Sequence, residues 1–261
     1  MFLAINQKFL QFFYNALLTG MPSLTYNPIN KNTLHAPFNV NEGSTYINYK
    51  LDNNQIKTIQ NYLSEKGNLK IVPTKLFKND KKNDFYLSIN IYNCSSPVFN
   101  FLSQDPVTRC EINTYVINEK NEFGTCILDY TSNILSLDPD NIFKTSNPTK
   151  FVKDISKNIL ECYSYSKNII FEMEYDYSNI MSERKIINEK LIKYTDKIFY
   201  NNGLYDKLYY DSTLLHNKLI MPRYYDVHFN FLDILFDKPH SIFYFQDKIN
   251  FVGGMWDNLY N

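Results

Sequence analysis

Arg109-Cys110-Glu111-Ile112-Asn113-Thr114-Tyr115-Val116 reads as a β-strand, entered through Pro106 and left towards Gly124. β-Branched and aromatic residues dominate it, and such residues suit a pleated, half-buried surface. Successive side chains of a strand point to opposite faces. Arg109, Glu111, Asn113 and Tyr115 therefore share one face, and Cys110, Ile112, Thr114 and Val116 share the other. The second set is an ordinary core face. The first aligns a cation, a carboxylate, an amide and a phenol. Facing water, such a row means little. Facing inward, each polar group needs a partner or a ligand. A plainer outcome is an ion pair between Arg109 and Glu111, two residues apart on the same face.

The flanking sequence extends the pattern. Phe85, Leu87, Ile89 and Ile91 alternate with Tyr86, Ser88, Asn90 and Tyr92, which predicts a second strand. A third, Gly124 to Tyr130, follows a hairpin-like turn at Glu119-Lys120-Asn121-Glu122. Upstream, Tyr46 to Lys50 reads as a short strand. Asp52 then caps a helix with Ile56, Ile59 and Leu63 on its apolar face, closed by Gly67. Leu69 to Phe77 reads as a strand and Asn79 to Asp84 as a charged turn. Downstream, Phe151 to Leu160 has the apolar spacing of a short helix. Ile169 to Tyr177 alternates as a strand whose acidic face (Glu172, Glu174, Asp176) is solvated. Ser182 opens a longer helix through about Phe199, and Ile242 to Val252 reads as a hairpin around Gln246-Asp247-Lys248. Antiparallel hairpins with a few helices, and no repeating βαβ pattern, place the chain in the α+β class.

With 261 residues the chain can bury a substantial core. The division that fits is an N-terminal helix and extended arm over residues 1–34 and a single α+β domain over residues 35–261. Met1 to Leu18 is apolar and aromatic, but Gln7, Lys8 and Gln11 interrupt it and no basic stretch precedes an apolar core. It makes a poor signal peptide and predicts a helix packed either on the domain or on a second subunit, the second case making a homo-oligomer through this helix. Residues 20–45, with Gly20, Pro22, Pro28, Pro37 and Gly43, read as a loop or wrapping arm. No run of about 18 apolar residues predicts an integral membrane segment.

Charge is balanced, 27 basic against 27 acidic residues, and Arg109, Arg184 and Arg223 are the only arginines. Nucleic acid is not expected as a partner, because its recognition leans on a basic surplus and on arginine. Abundant Asn, Lys, Ile, Tyr and Phe with only three alanines is the bias of an AT-rich coding sequence. Cys94, Cys110, Cys126 and Cys162 form no CxxC pair, and His35, His216, His228 and His240 are scattered. Reduced thiols in a cytoplasmic protein fit this spacing; a secreted disulfide protein is the alternative. Walker A, GxGxxG, GxSxG and HExxH motifs are absent, and Gly253-Gly254 beside Trp256 reads as a bulge or tight turn. Neither a cofactor nor a metal is expected.

Glu111-Ile112-Asn113, Tyr115-Val116, Gly124 and Ile127-Leu128-Asp129, together with the opening strand-helix-strand order from Tyr46 to Leu69, resemble the acetoacetate decarboxylase superfamily. The resemblance covers roughly residues 35 to 175 and does not extend over residues 180 to 261. It implies an antiparallel β-sheet curled into a cone-like or partial barrel with flanking helices, around a hydrophobic pocket. It also implies a Schiff-base lysine whose pKa is depressed by burial and a neighbouring lysine, with a glutamate and an arginine nearby. Glu111 matches the family's pocket glutamate. In Pro148-Thr149-Lys150-Phe151 the nucleophile position holds Thr149 and only the helper position holds a lysine, Lys150; Lys144 and Lys153 are neighbours that offer the same amine. The family's arginine precedes its opening strand, where this chain has Gly43-Ser44-Thr45, so Arg109 replaces it in space only.

Three functions follow. The first is a cofactor-independent, decarboxylase-like lyase acting on a carboxylate or carbonyl compound, a keto acid or fatty-acid-like molecule. Arg109 anchors the carboxylate, Glu111 is the general acid/base, Lys150 supplies the amine, and Asn113 and Tyr115 bind the substrate. The second is a binding protein for small molecules or lipids that kept the fold and lost the lysine chemistry. The third is an assembly role for the N-terminal segment.

Overall fold

The computed structural model describes residues 34–95, 107–132, 150–154, 159–164, 169–182, 197–200, 205–210, 218–245 and 249–255. Along them the chain runs through β1 (Leu34–Lys50), a helix α1 (Asn53–Gly67), β2 (Lys70–Ile71), β3 (Tyr86–Ser95), β4 (Val107–Ile117) and β5 (Phe123–Ser132). There follow β6 (Lys150–Asp154), β7 (Ile159–Ser164), β8 (Ile169–Ser182), β9 (Lys197–Tyr200), β10 (Tyr205–Tyr210) and β11 (Lys218–Phe231). β12 (Ile234–Phe236), β13 (Ser241–Phe245) and β14 (Ile249–Met255) complete it. The class is α+β, a mixed sheet with one helix among the described residues.

The expected helix forms where its signals lie. Asp52 Oδ1 accepts from the Asn54 and Gln55 amides at 2.8 and 2.9 Å, and Gln55 Oε1 accepts from the Asp52 amide at 2.9 Å. This reciprocal capping box satisfies amides that the first turn leaves without intrahelical partners. Ile59 and Leu63 are the buried face of α1. The stop comes one residue later than expected: Asn68, not Gly67, takes the left-handed conformation (φ 53°), which asparagine tolerates better than most residues.

β4 is the centre of the sheet, between β3 and β5. The turn to β5 is built by Asn118, whose Oδ1 accepts from the Lys120 and Glu122 amides. Among the described residues the pairings are antiparallel except that of β5 with β9, which is parallel and corrects the expectation of an antiparallel sheet. β1 pairs with β3 on one edge and with both β13 and β14 on the other. Its pairings with β13 and β14 keep one register, from Leu34 opposite Met255 to Asn48 opposite Ser241. β14 also pairs with β10, so the partners β1, β3, β4, β5, β9, β10 and β14 return upon themselves. A second path leaves β1 through β13, β11, β8 and β7 to β6.

Several expectations need correction. Phe151 to Leu160 is not a helix: β6 and β7 pair antiparallel with Phe151 opposite Cys162. Ser182 ends β8 and residues 197–199 lie in β9, so neither end of the expected 182–199 helix is helical. β13 and β14 are not a hairpin, because both lie along β1 rather than on each other. Only Lys70–Ile71 of the expected 69–77 strand pairs in a ladder. Residues 34–45 are not an arm but the first part of β1, which extends well upstream of Tyr46. Flanking helices reduce, among the described residues, to α1. The expected N-terminal helix lies outside the described residues.

The main core joins α1 to one face of β1, β3, β4 and β5. Ile59 and Leu63 meet Ile47, Tyr49, Leu87, Ile89, Ile112 and Val116 there, and the hairpin of β11 and β12 adds Phe229, Phe231 and Phe236. Phe229 stacks on Phe236 with centroids 4.6 Å apart, and both contact the Tyr49 ring. Burial pushes the Tyr49 hydroxyl and the Cys126 thiol well above their ordinary ranges. The alternation of β8 comes out as expected where it is described: Phe171 and Met173 are buried, Glu172 is exposed, and Glu174 pairs with Arg223.

Candidate functional site

Three members of the decisive row point inward. Glu111 and Asn113 are each 6% exposed and Tyr115 is 9% exposed, all on the face of β4 opposite the helix-side core. Neighbouring strands present polar groups on the same face. Asn90 of β3 is directly opposite Glu111, and Ser88 opposite Asn113. On β1, Tyr46 is opposite Asn90 and Asn48 opposite Ser88. Three adjacent strands therefore bring six polar side chains into two rows; Asn48, Ser88, Glu111 and Asn113 are buried, and Tyr46 and Asn90 are half-buried.

Some of these groups satisfy one another. Tyr92 Oη donates to Glu111 Oε1 at 2.6 Å, within the buried layer. Ser88 Oγ donates to Asn48 Oδ1 at 2.7 Å, and Asn48 Nδ2 donates to Ser241 Oγ at 3.2 Å, a relay across β3, β1 and β13. Two are left over: Asn90 Oδ1 and Asn113 Oδ1 are buried with no hydrogen-bond partner. Buried polar atoms are almost always paired, so each orphan requires an explanation. A bulge falls at the same point. Ile112 is opposite Asp129 but Asn113 is opposite Ile127, so Leu128 is the extra residue. Bulges re-aim side chains and recur beside functional sites.

An apolar and charged rim adjoins these rows. Tyr115 lies flat against Phe123, with centroids 6.2 Å apart and planes 6° apart, and clusters with Leu76, Phe77, Tyr86 and Phe243. Leu76 and Phe77 come from the segment between β2 and β3. Lys50 Nζ holds that segment, 3.3 Å from Asp80 and 2.9 Å from Asp84, and lies 5.7 Å from the Tyr86 ring centroid. Burial alone pulls the Lys50 ammonium down, but hydrogen bonds to Asp84 and Asp80 outweigh it, and the group ends above its ordinary value. The Lys50 hydrogen bond in turn holds Asp84 below the usual carboxylate range. Burial, then the Lys50 charge, lower His240. Burial and the nearby Asp80 carboxylate push the Tyr86 hydroxyl up.

Of the residues singled out from sequence, the fold brings Glu111, Asn113 and Tyr115 together. Arg109 continues the same strand, its backbone opposite Tyr92 and Ser132, and its side chain lies outside the described part. Lys150 opens β6, opposite Tyr163, with six strands between it and β4 along the pairing order; its side chain is likewise undescribed. Sequence reasoning missed Asn90, Tyr92, Asn48 and Ser88 as site residues. For Ser88 and Asn90 the signal was present in the alternation of β3, where they stand between apolar Leu87, Ile89 and Ile91; Asn48 is on β1. Among the described residues no group of His, Cys, Asp and Glu is arranged to hold a metal ion, and no helix is long and apolar enough to cross a membrane.

No protein family and no curated protein matches the chain in sequence. Among solved structures, the chain is similar to the enduracididine biosynthesis enzyme MppR with HEPES buffer bound, at a TM-score of 0.46 and 7% identity, over 90% of this chain and 92% of that one. MppR complexed with pyruvate aligns at a TM-score of 0.45 and 7% identity, over 89% and 93% of the two chains. An acetoacetate decarboxylase-like enzyme from Sphingomonas wittichii RW1 aligns at 0.43 and 6%, over 88% and 96%.

Proposed function

We propose that the protein is a small-molecule enzyme of the acetoacetate decarboxylase-like kind, with its site on the buried polar face of β1, β3 and β4. One observation carries this reading: Asn90 Oδ1 and Asn113 Oδ1 are orphaned within the buried layer that holds Glu111. A fold that needed this layer only for packing would fill it with apolar side chains, since an unmade buried hydrogen bond costs about 1–3 kcal/mol. In this reading the circuit β1, β3, β4, β5, β9, β10 and β14 is the wall of a cone-like barrel, and Tyr115, Phe243 and Phe77 supply its apolar lining. The substrate is a carboxylate or carbonyl compound. Glu111 moves the proton, with Tyr92 as the hydroxyl that hydrogen-bonds it. Arg109 anchors the substrate carboxylate, Asn113 and Tyr115 orient the carbonyl, and Lys150 is the candidate amine for a covalent step.

The test is a panel of keto acids followed for carbon dioxide release and substrate loss, with and without borohydride. Wild-type turnover is expected, falling by about 10²–10⁴-fold in Glu111→Gln with the circular dichroism spectrum unchanged. Full activity in that variant removes the role given to Glu111. A borohydride-stable adduct on Lys150 supports the covalent step. A second reading, a binding protein without chemistry, is favoured by Thr149 at the position where the resemblance puts the nucleophile. It requires binding with no altered product, and any product peak by mass spectrometry rules it out.

A further inference from the structure

The two orphaned atoms are both acceptors. Asn90 is directly opposite Glu111 on the neighbouring strand, and Asn113 follows Glu111 by two residues on the same face. Opposite residues have Cβ atoms roughly 5 Å apart and diagonal ones roughly 7–8 Å apart. One small molecule spans that distance. Of the hydroxyls nearby, Tyr92 Oη is committed to Glu111 and Ser88 Oγ to Asn48, while Tyr86 Oη, in the apolar cluster with Tyr115, is buried without a partner. Glu111 adds a third acceptor group to the patch. From these acceptors we infer that the ligand of this face carries hydrogen-bond donors: it is a hydroxylated or amino-bearing carboxylate or carbonyl compound. Its O–H or N–H groups are accepted by Asn90 Oδ1 and Asn113 Oδ1. Asn90 and Asn113 are then the specificity residues that separate it from a plain aliphatic acid. A site built to accept a donor rejects the analogue that lacks it, because its own buried acceptors stay unpaired. This inference rests on the reading of the face as a small-molecule site.

Isosteric acids test it by calorimetric titration of the full chain: pentanoate, 4-hydroxybutyrate and 4-aminobutyrate, with the homologous sets one carbon shorter and longer. At one length or more, a donor-bearing acid is expected to bind about tenfold tighter than its methyl isostere. Preference for the hydroxyl over the amine, or the reverse, identifies which donor the site takes. Asn113→Asp keeps an acceptor and retains the preference; Asn113→Leu loses it. The wild-type series decides alone if neither variant folds. Equal binding across each set overturns the donor inference and leaves the small-molecule reading standing. Donor preference that survives Asn113→Leu and Asn90→Leu removes these residues from the role. Absence of binding by every acid removes both readings.

Discussion

Tyr92 and Glu111 are 19 positions apart in sequence and meet at 2.6 Å in the buried layer. Their contact is made by register: β3 and β4 pair so that Tyr92 is opposite Arg109 and Asn90 opposite Glu111, which leaves Tyr92 diagonal to Glu111. A phenol has the length to bridge a diagonal, which shorter side chains lack. Tyr92→Phe takes one donor from a buried carboxyl group and is expected to cost about 1–3 kcal/mol, read by urea denaturation. A loss below about 0.5 kcal/mol, the ordinary range for a surface change, would mean that the carboxyl group finds another donor. Nothing local in the sequence marked Tyr92, because in a chain with 22 tyrosines a single one carries no signal until its neighbour across the ladder is known.

Short elements in this fold persist by borrowing side chains. β2 has two residues, too few for independent pairing. Gln60 of α1 supplies the missing edge: its Nε2 donates to Leu69 O and its Oε1 accepts from the Ile71 amide, each at 2.9 Å. The side-chain amide thus imitates a strand neighbour and fixes α1 against the sheet. Gln60→Leu leaves both backbone groups unmet and is expected to cost about 1–3 kcal/mol with a lower melting temperature; an unchanged melt would show that water replaces the amide. The turn from β11 to β12 makes the same point. Leu232 and Asp233 both have positive φ (52° and 60°), the conformation that favours Asn-Gly in a two-residue hairpin. Leu-Asp gives no such signal. Leu232 packs against the main core, and that burial offsets the backbone cost. Phe151 to Leu160 misled for the converse reason, since helical spacing in a short segment does not exclude two paired strands.

At the scale of the whole molecule, Lys50 joins regions far apart in the chain. It ends β1, holds Asp80 and Asp84 in the segment after β2, and adjoins His240, whose amide donates to Asn48 O at 2.7 Å. The linkage to pH has a definite sign. Asp84 is held below its ordinary 3.8, so its contribution is present above that value and is lost as pH falls through the folded value. Lys50 is raised above 10.5, so its contribution is present below that value and is lost as pH rises through the folded one. Thermal melts from about pH 2 to 6 should show stability falling on acidification, and Lys50→Met should flatten that fall. An identical slope in the variant would separate the ion pairs from acid sensitivity.

The sequence by itself determined the α+β class, the capped helix, the strands β3, β4 and β5 with the turn between the last two, and the row Glu111, Asn113, Tyr115. Each is written in nearest-neighbour chemistry: period-two alternation, an Asp-x-x-Gln cap, asparagine in a tight turn. Only the tertiary structure decided which way that row faces. A polar strand face is solvated or buried according to what covers it, and at Tyr115 the covering side chains include Leu76 and Phe77, from a segment far upstream in the chain. The tertiary structure also decided that Asn90 Oδ1 and Asn113 Oδ1 flank Glu111 without hydrogen-bond partners. Strand register and the Leu128 bulge set those positions, and both depend on pairings between distant segments that no local pattern encodes.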